Sequence, residues 1–151
     1  MFSVPVWNPY LKKDIEKLEK IQHKATKLVR KIINKCYEDR LGEMKLTTLE
    51  TRRKRGDLIQ FFKILNGRDQ VKWKNKIEKT LQKNENGPAA SNLRKKGTCF
   101  HRESAKTCTV RDNFFLNKVI PLWNPLPQHI KEAKTLKSFK ARLDKEELFL
   151  I

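Results

Sequence analysis

The stretch TTLETRRKRGDLIQFFKILNG, residues 47–67, decides the fold of this 151-residue chain. Its C-terminal half has apolar residues at the spacing i, i+3, i+4 and i+7, namely Leu58, Phe61, Phe62 and Leu65. This spacing predicts one apolar face of a helix. Thr47 is the predicted N-cap, because Glu50 three residues later would complete a capping box. Gly67 follows the last apolar residue and is the predicted left-handed residue that ends the helix.

The N-terminal half of this stretch holds four consecutive basic residues at positions 52–55. A helix turns about 100° per residue, so these four side chains cannot all face the same way. Glu50 is placed to pair with Lys54, and Arg53 with Asp57, each at a separation of four residues. Local pairing therefore explains part of the cluster.

Arg52 and Arg55 have no acidic residue three or four positions away in the sequence. They lie about one turn apart, so one ligand could contact both side chains. A guanidinium group binds phosphate oxygens in a bidentate manner, which favours a phosphate contact. The alternatives are a solvated helix end and contacts with acidic residues elsewhere, such as Asp39.

The net charge of +18 is spread over both halves of the chain. Residues 1–67 have 16 basic and 8 acidic residues, and residues 68–151 have 19 and 9. Such a broad positive field favours polyanionic partners, nucleic acid first and an anionic membrane second, although a basic surface without a specific partner is the alternative. With 38% hydrophobic and 34% charged residues, the chain can form one domain with a thin core or two small subdomains.

Residues 11–35 are predicted to form the longest helix, with an apolar and a cationic stripe. The apolar stripe consists of Ile15, Leu18, Gln22, Ala25, Val29 and Ile32, broadened by Ile21, Leu28 and Ile33. The cationic stripe consists of Lys13, Lys17, Lys20, Lys24, Lys27 and Lys31. Pairing of Asp14 with Lys17 and of Glu16 with Lys20 would neutralise part of this stripe, and the rest is the predicted polyanion surface.

A basic amphipathic helix is also typical of membrane-surface helices and of calmodulin targets. We favour internal packing over both for residues 11–35, because the rest of the chain can supply a core for the apolar stripe.

The remaining sequence predicts further helices around a long loop. A weak amphipathic helix is predicted over 71–83, and a loop over 84–98, where polar residues, glycine and proline cluster. Residues 111–127 are predicted to form a helix that buries two faces and is broken by Pro121. The closing helix is predicted over 135–148. The apolar residues of these two helices include Phe114, Phe115, Val119, Leu122, Trp123, Leu136, Phe139, Leu143 and Leu148.

The predicted fold class is therefore mainly α, a small helical bundle with a long loop around 84–110, a C-terminal helix and little or no β structure. The one candidate for β structure is a pairing of Thr107–Val110, as a strand, with the opening segment. The predicted organisation is a helical bundle over 1–83, a linker over 84–110 and a C-terminal helical segment over 111–151. The alternative is that all three parts form one domain.

The three cysteines do not predict a metal site. Cys99, His101 and Cys108 lie close in sequence, but structural zinc normally takes four ligands and no fourth lies nearby. The N-terminus has no secretion signal, and no apolar run is long enough to span a membrane. We therefore expect reduced thiols in an intracellular protein, nuclear or cytoplasmic.

Three segments carry specific motifs: VWNPYLKKDIEKLEKIQHKATKL (6–28), YEDRLGEMKLTTLETRRKRGDLIQFFKILNG (37–67) and RDNFFLNKVIPLWNPLPQHIKEAKTLKSFKARLD (111–144). Their motifs are LE-x-x-Q-x-x-AT, RR-x-RGDL, and FF-x-N-x-V followed by WN-x-LP. In this order they resemble the C-terminal region of reverse transcriptases encoded by non-LTR (LINE-type) retrotransposons of the Jockey group. The structural residues of this pattern are Trp7, Leu18, Gln22, Ala25, Leu58, Phe62, Phe114, Phe115, Trp123 and Phe139.

The resemblance implies a thumb-like helical region, with the segment after it, that grips a template–primer duplex. The partner would be RNA or an RNA–DNA duplex, bound without sequence specificity. The binding residues would be Lys13, Lys17, Lys20, Lys24, Lys27, Lys31, Arg52, Arg55 and Lys118. Lys118 stands where the family usually has arginine, so it keeps the charge but loses bidentate geometry. The chain also has Lys96-Gly97-Thr98 where the family has Arg-Gly-His, which weakens any inherited role for that loop.

The resemblance also implies an activity that this chain lacks. The parent protein would be an RNA-directed DNA polymerase, whose palm holds Mg²⁺ with aspartates that include an adjacent pair. No Asp-Asp pair occurs in this sequence. We therefore expect a truncated fragment without polymerase activity and without a cofactor of its own. The alternatives are a helical protein-interaction module, which could self-associate through an exposed apolar face, and a retroelement remnant without function.

Overall fold

The computed structural model describes residues 8–71, 100–102 and 108–146. Within them the chain is mainly helical, as predicted, and these ranges contain no strand. The α-helices are α1 (Lys12–Lys27), α2 (Tyr37–Glu43), α3 (Leu49–Leu65), α4 (Thr109–Asp112), α5 (Phe115–Trp123), α6 (Gln128–Lys131) and α7 (Leu136–Lys145). A 3₁₀ turn covers Arg30–Ile32.

The chain divides into two compact units. Unit 1 comprises Met1–Gly56 and Glu146–Ile151, and unit 2 comprises Asp57–Lys145, so the division falls within α3. Several predictions lie outside the described residues: those for Trp7, the helix beyond Val71, the loop over 84–98, Cys99, Thr107 and Leu148.

The predicted continuous helix over 11–35 is wrong, because α1 ends at Lys27. Leu28 keeps helical angles and donates its N–H to the Ala25 carbonyl, but Val29 is extended, with φ −83° and ψ 103°. Val29, Ile32 and Ile33 are β-branched, which lowers the helix propensity of this segment. Ile32 lies in the interior of unit 1, as its place in the apolar stripe predicted, whereas Ile33, which was predicted to broaden that stripe, is exposed.

The apolar stripe of α1 is consequently narrower than predicted. Gln22 and Thr26 are buried, and Ile15 and Leu18 are half-buried. The other predicted members are exposed: Ile21, Ala25, Leu28, Val29 and Ile33.

Helix α3 begins one residue later than predicted. The hydroxyl of Thr48, not Thr47, accepts a hydrogen bond from the Thr51 backbone N–H at 3.1 Å, so Thr48 is the N-cap. Glu50 does not complete a capping box; it pairs with Lys54 at 2.8 Å, as predicted.

The C-terminus of α3 confirms the predicted glycine cap. Gly67 has φ +64° and donates to the Ile64 carbonyl, while the N–H of Arg68 bonds the Lys63 carbonyl. These two bonds define a Schellman motif, which requires a left-handed residue at the position of the glycine.

Aromatic side chains form the core of unit 2. The Phe62 and Phe139 rings stack with their centroids 4.2 Å apart. Phe61 meets Phe100 and Trp123 edge to face at 5.2 and 5.1 Å. Offset and edge-to-face pairs of this kind stabilise a core beyond their buried area. The apolar face predicted from Phe61 and Phe62 is therefore confirmed as core.

Asn124 fixes the segment 100–102 to this core. Its side-chain amide accepts the N–H of Phe100 at 3.0 Å and donates to the carbonyl of Phe100 at 2.9 Å. Both backbone groups of a buried residue are thereby satisfied, as burial requires.

Three details of unit 2 differ from the predictions. Phe114 is 53% exposed and precedes α5 instead of packing inside it. Pro121 lies inside α5 and does not break it; the helix continues for two more residues and ends at Trp123. Val110, placed in the one candidate strand, lies in the short helix α4. The closing helix starts as predicted, with Thr135 capping the Ser138 N–H at 3.1 Å, and ends at Lys145.

Candidate nucleic-acid interface

The predicted lysine stripe of α1 is on the surface of unit 1. Lys13, Lys17, Lys20, Lys24 and Lys27 are all exposed. At about 100° per residue they fall within roughly 80° of arc on one side of the helix. From Lys13 to Lys27 the stripe is about 21 Å long at 1.5 Å per residue. We call these five residues the lysine stripe. Lys31, the sixth predicted lysine, is exposed in the 3₁₀ turn beyond the helix break.

Few acidic groups neutralise the lysine stripe. Lys17 reaches Asp14 at 3.5 Å, but both side chains are largely exposed, so this pair is worth little. The predicted pair of Glu16 with Lys20 is not formed. Among the described residues, no carboxylate lies within ion-pair distance of Lys20, Lys24 or Lys27.

Arg40 anchors α2 to α1 beneath the stripe. It is 3% exposed, and its guanidinium donates to Thr26 Oγ1 at 3.2 Å, to the Lys35 carbonyl at 2.7 Å and to His23 Nε2 at 3.4 Å. Because arginine can only donate, His23 Nε2 is the acceptor in this contact. No sequence pattern singled out Arg40 as the residue that makes these contacts.

Glu19 joins α1 to the other two helices of unit 1. Its carboxylate accepts the Tyr37 hydroxyl at 2.7 Å and the backbone N–H of Leu49, at the start of α3, at 3.2 Å. The Gln22 amide donates to the Thr47 carbonyl at 3.0 Å. A carboxylate at a helix N-terminus also interacts favourably with the helix dipole. The face of α1 opposite the lysine stripe is thus held by polar groups.

Burial and the Glu19 hydrogen bond raise the pKa of Tyr37 well above its ordinary value of 10.0. Both effects favour the neutral phenol, because an ionised Tyr37 would face the Glu19 carboxylate. The positive charges of Arg40 and Arg52 oppose this shift only weakly. Arg52 is therefore close enough to Tyr37 to affect its pKa electrostatically.

The arginine cluster of α3 is less open than the sequence indicated. Arg52 and Arg55 are half-buried, and Arg55 already interacts with another group of the protein. Arg53 is 9% exposed, and its Nε and Nη2 have no hydrogen-bond partner in the described ranges. The structure does not bring Arg52 and Arg55 out as a pair of exposed cations.

Lys118 is half-buried on α5 in unit 2. Burial lowers the pKa of its ammonium group, and the buried Asp57 carboxylate partly offsets this effect. Lys118 thus interacts electrostatically with a carboxylate of its own unit, and its phosphate contact stays a prediction. No sequence signal distinguished Lys118 from the surface lysines, because Asp57 is 61 positions away.

The described residues contain no group of three or more histidine, cysteine, aspartate or glutamate side chains that could hold a metal ion. Cys36 and Cys108 are free thiols on the surface. The sulfur of Cys36 accepts the Asp39 N–H at 3.3 Å and so caps α2. No helix in the described part of the chain is long and apolar enough to cross a membrane.

Comparisons with known proteins identify no relative of the chain. No protein-family model matches it. No curated protein and no solved structure matches it either.

Proposed function

We propose that the chain binds RNA or RNA–DNA duplexes through their phosphates, without sequence specificity. The observation that supports this most directly is the lysine stripe: five exposed cations on one side of α1, of which only Lys17 pairs with a carboxylate in the described ranges. Phosphates along one strand are about 3.4 Å apart along the duplex axis, so a stripe of about 21 Å spans about six of them. Lysines act as point charges and do not read bases, which accounts for the expected lack of specificity.

The proposed origin is the thumb and post-thumb region of a non-LTR retrotransposon reverse transcriptase. This part of the proposal rests on the motifs at 18–26, 52–58 and 114–127. The helical fold is compatible with it. In the proposed parent enzyme the palm would supply the metal-binding aspartates, and this chain would contribute only the grip on the duplex.

The packing beneath α1 makes the stripe suitable for this role. Arg40 and Glu19 hold the opposite face of the helix through hydrogen bonds to Thr26, Tyr37 and Leu49. The lysines therefore project from a fixed backbone, and binding loses only side-chain freedom.

The proposal is tested by the affinity of the full chain for an RNA–DNA duplex at low salt, measured by fluorescence anisotropy. The triple variant Lys20→Gln/Lys24→Gln/Lys27→Gln should bind at least tenfold more weakly. The matched control Lys134→Gln/Lys137→Gln/Lys145→Gln removes three exposed lysines of unit 2 and should bind within about twofold of wild type. Equal losses in both variants would show that only net charge matters and would contradict a defined interface.

A duplex of the same length and scrambled sequence should bind equally well. A preference of tenfold or more for one sequence would require base contacts and would contradict binding through phosphates alone.

A further inference from the structure

Exposed apolar side chains cluster beside the lysine stripe. Ile21 is 63% exposed and Leu28 is 83% exposed, and with Ala25 they follow the spacing i, i+4, i+7 on one side of α1. Val29 and Ile33, on either side of the 3₁₀ turn, are also exposed. We call Ile21, Leu28, Val29 and Ile33 the apolar tip. It lies at the end of α1 and in the turn that follows.

The helix break creates this tip. The sequence favoured internal packing of these residues over a membrane-surface role, because the chain could supply a core for them. In the structure the interior of unit 1 takes Gln22, Thr26 and Ile32 instead. Ile21, Leu28, Val29 and Ile33 therefore lie outside the core that the described residues form.

The sequence segment that carries the apolar tip is basic. The segment from Lys20 to Tyr37 contains six basic residues and no acidic residue. Lys24, Lys27, Arg30 and Lys31 within it are exposed. Apolar side chains surrounded by cations match the surface of an anionic bilayer, which offers phosphate headgroups next to hydrocarbon.

We propose that the apolar tip and its surrounding cations bind the surface of an anionic phospholipid bilayer. The binding is peripheral: Leu28 and Ile21 enter the boundary between headgroups and acyl chains, and the lysines contact the headgroups. A second copy of the chain is a poorer occupant, because two such segments would bring like charges together. Phosphates of a duplex can use the lysines but gain nothing from contact with Leu28, so only binding to the bilayer depends on the apolar tip.

Co-sedimentation of the full chain with vesicles tests the proposal. Wild type should sediment with vesicles of phosphatidylcholine and phosphatidylserine and not with vesicles of phosphatidylcholine alone. Ile21→Gln/Leu28→Gln keeps the charge and should lower partitioning into the anionic vesicles at least about tenfold, the loss expected for two partly inserted side chains. Val110→Gln, which changes a comparably exposed residue of unit 2, should leave partitioning unchanged.

Duplex affinity separates this proposal from the nucleic-acid function. Ile21→Gln/Leu28→Gln should bind the RNA–DNA duplex as wild type does. The proposal is overturned by the absence of binding to anionic vesicles, by equal partitioning of wild type and the double variant, or by a parallel loss of duplex affinity. Concentration-dependent self-association that the double variant abolishes, without vesicle binding, would assign the tip to a second copy and also overturn it.

Discussion

The Arg40 guanidinium donates through Nε to the hydroxyl of Thr26 at 3.2 Å, with both residues buried. Its other acceptors are the Lys35 carbonyl and the His23 ring, neither of which is a carboxylate, and it lies over the Tyr37 ring at 5.8 Å. A buried guanidinium held by neutral acceptors is tolerated because each hydrogen bond with a charged donor is strong. This contact holds α2 against α1, and α1 carries the lysine stripe.

Arg40→Lys should destabilise the protein by about 2–3 kcal/mol, because lysine keeps the charge but loses the planar fork that serves three acceptors. Urea unfolding measures this change in the free energy of unfolding. Arg30→Lys, at an exposed arginine of the same unit, should change stability by less than about 0.5 kcal/mol. Equal effects at the two positions would contradict the role given to Arg40.

Because of Tyr37, the free energy of unfolding should decrease at alkaline pH. Its pKa is raised in the folded state, first by burial and then by the Glu19 hydrogen bond. Above pH 10 the unfolded chain therefore loses the phenolic proton while the folded protein keeps it. Unfolding then releases a proton, and the free energy of unfolding falls as the pH rises.

The variant Tyr37→Phe isolates this effect in urea unfolding between pH 9 and 11. At pH 9 the variant should be about 1 kcal/mol less stable than wild type, because the hydrogen bond to Glu19 is lost. The difference should shrink as the pH rises above 10. A difference that stays constant across this range would show that the Tyr37 hydroxyl is not held in the neutral form.

Lys45 lies in the left-handed region, with φ 51°, at the end of α2. The Leu46 N–H bonds the Leu41 carbonyl at 2.8 Å and the Lys45 N–H bonds the Gly42 carbonyl at 3.0 Å, so α2 ends in the same motif as α3. Lys45→Gly should raise the melting temperature, through a stabilisation of about 0.5–1 kcal/mol, because glycine adopts this conformation without steric cost.

The reverse substitution at the other cap is the control. Gly67→Ala should lower stability by about 1 kcal/mol through backbone strain alone, because no atom lies within 4 Å of an added Cβ. If Lys45→Gly destabilised the protein, the left-handed conformation at Lys45 would be contradicted.

Lys118→Gln should change stability by less than about 1 kcal/mol and leave duplex binding unchanged. Burial disfavours the Lys118 cation more than the buried Asp57 carboxylate favours it, so its removal loses no net electrostatic stabilisation. Thermal unfolding and anisotropy on the same sample separate the two effects. A tenfold loss of duplex affinity with unchanged stability would show that Lys118 belongs to the binding surface.

Local sequence patterns predicted the parts of the fold that depend on local physics. The spacing of Leu58, Phe61 and Phe62 predicted a buried face, and the position of Gly67 predicted a left-handed cap. Both depend on helix geometry within a few residues. The exposure of the lysine stripe followed from the same periodicity.

Sequence patterns failed where distant residues compete for the interior. The periodicity of residues 11–35 continued past the break, so it assigned both Ile32 and Ile33 to the apolar stripe and could not show that Ile33 would be exposed. The burial of Arg40 depends on acceptors from two other segments of unit 1. Such outcomes are set by tertiary packing, and propensity and periodicity carry little information about them.

The central claim is that the lysine stripe of α1 binds nucleic-acid phosphates. The salt dependence of duplex binding tests this claim most directly. If the five lysines each contact one phosphate, the slope of log K against log salt should be near −4.5, using about −0.9 per contact for B-form DNA as the guide. The variant Lys20→Gln/Lys24→Gln/Lys27→Gln should flatten the slope to about −2. A slope near zero for wild type, or an unchanged slope in the variant, would contradict the claim.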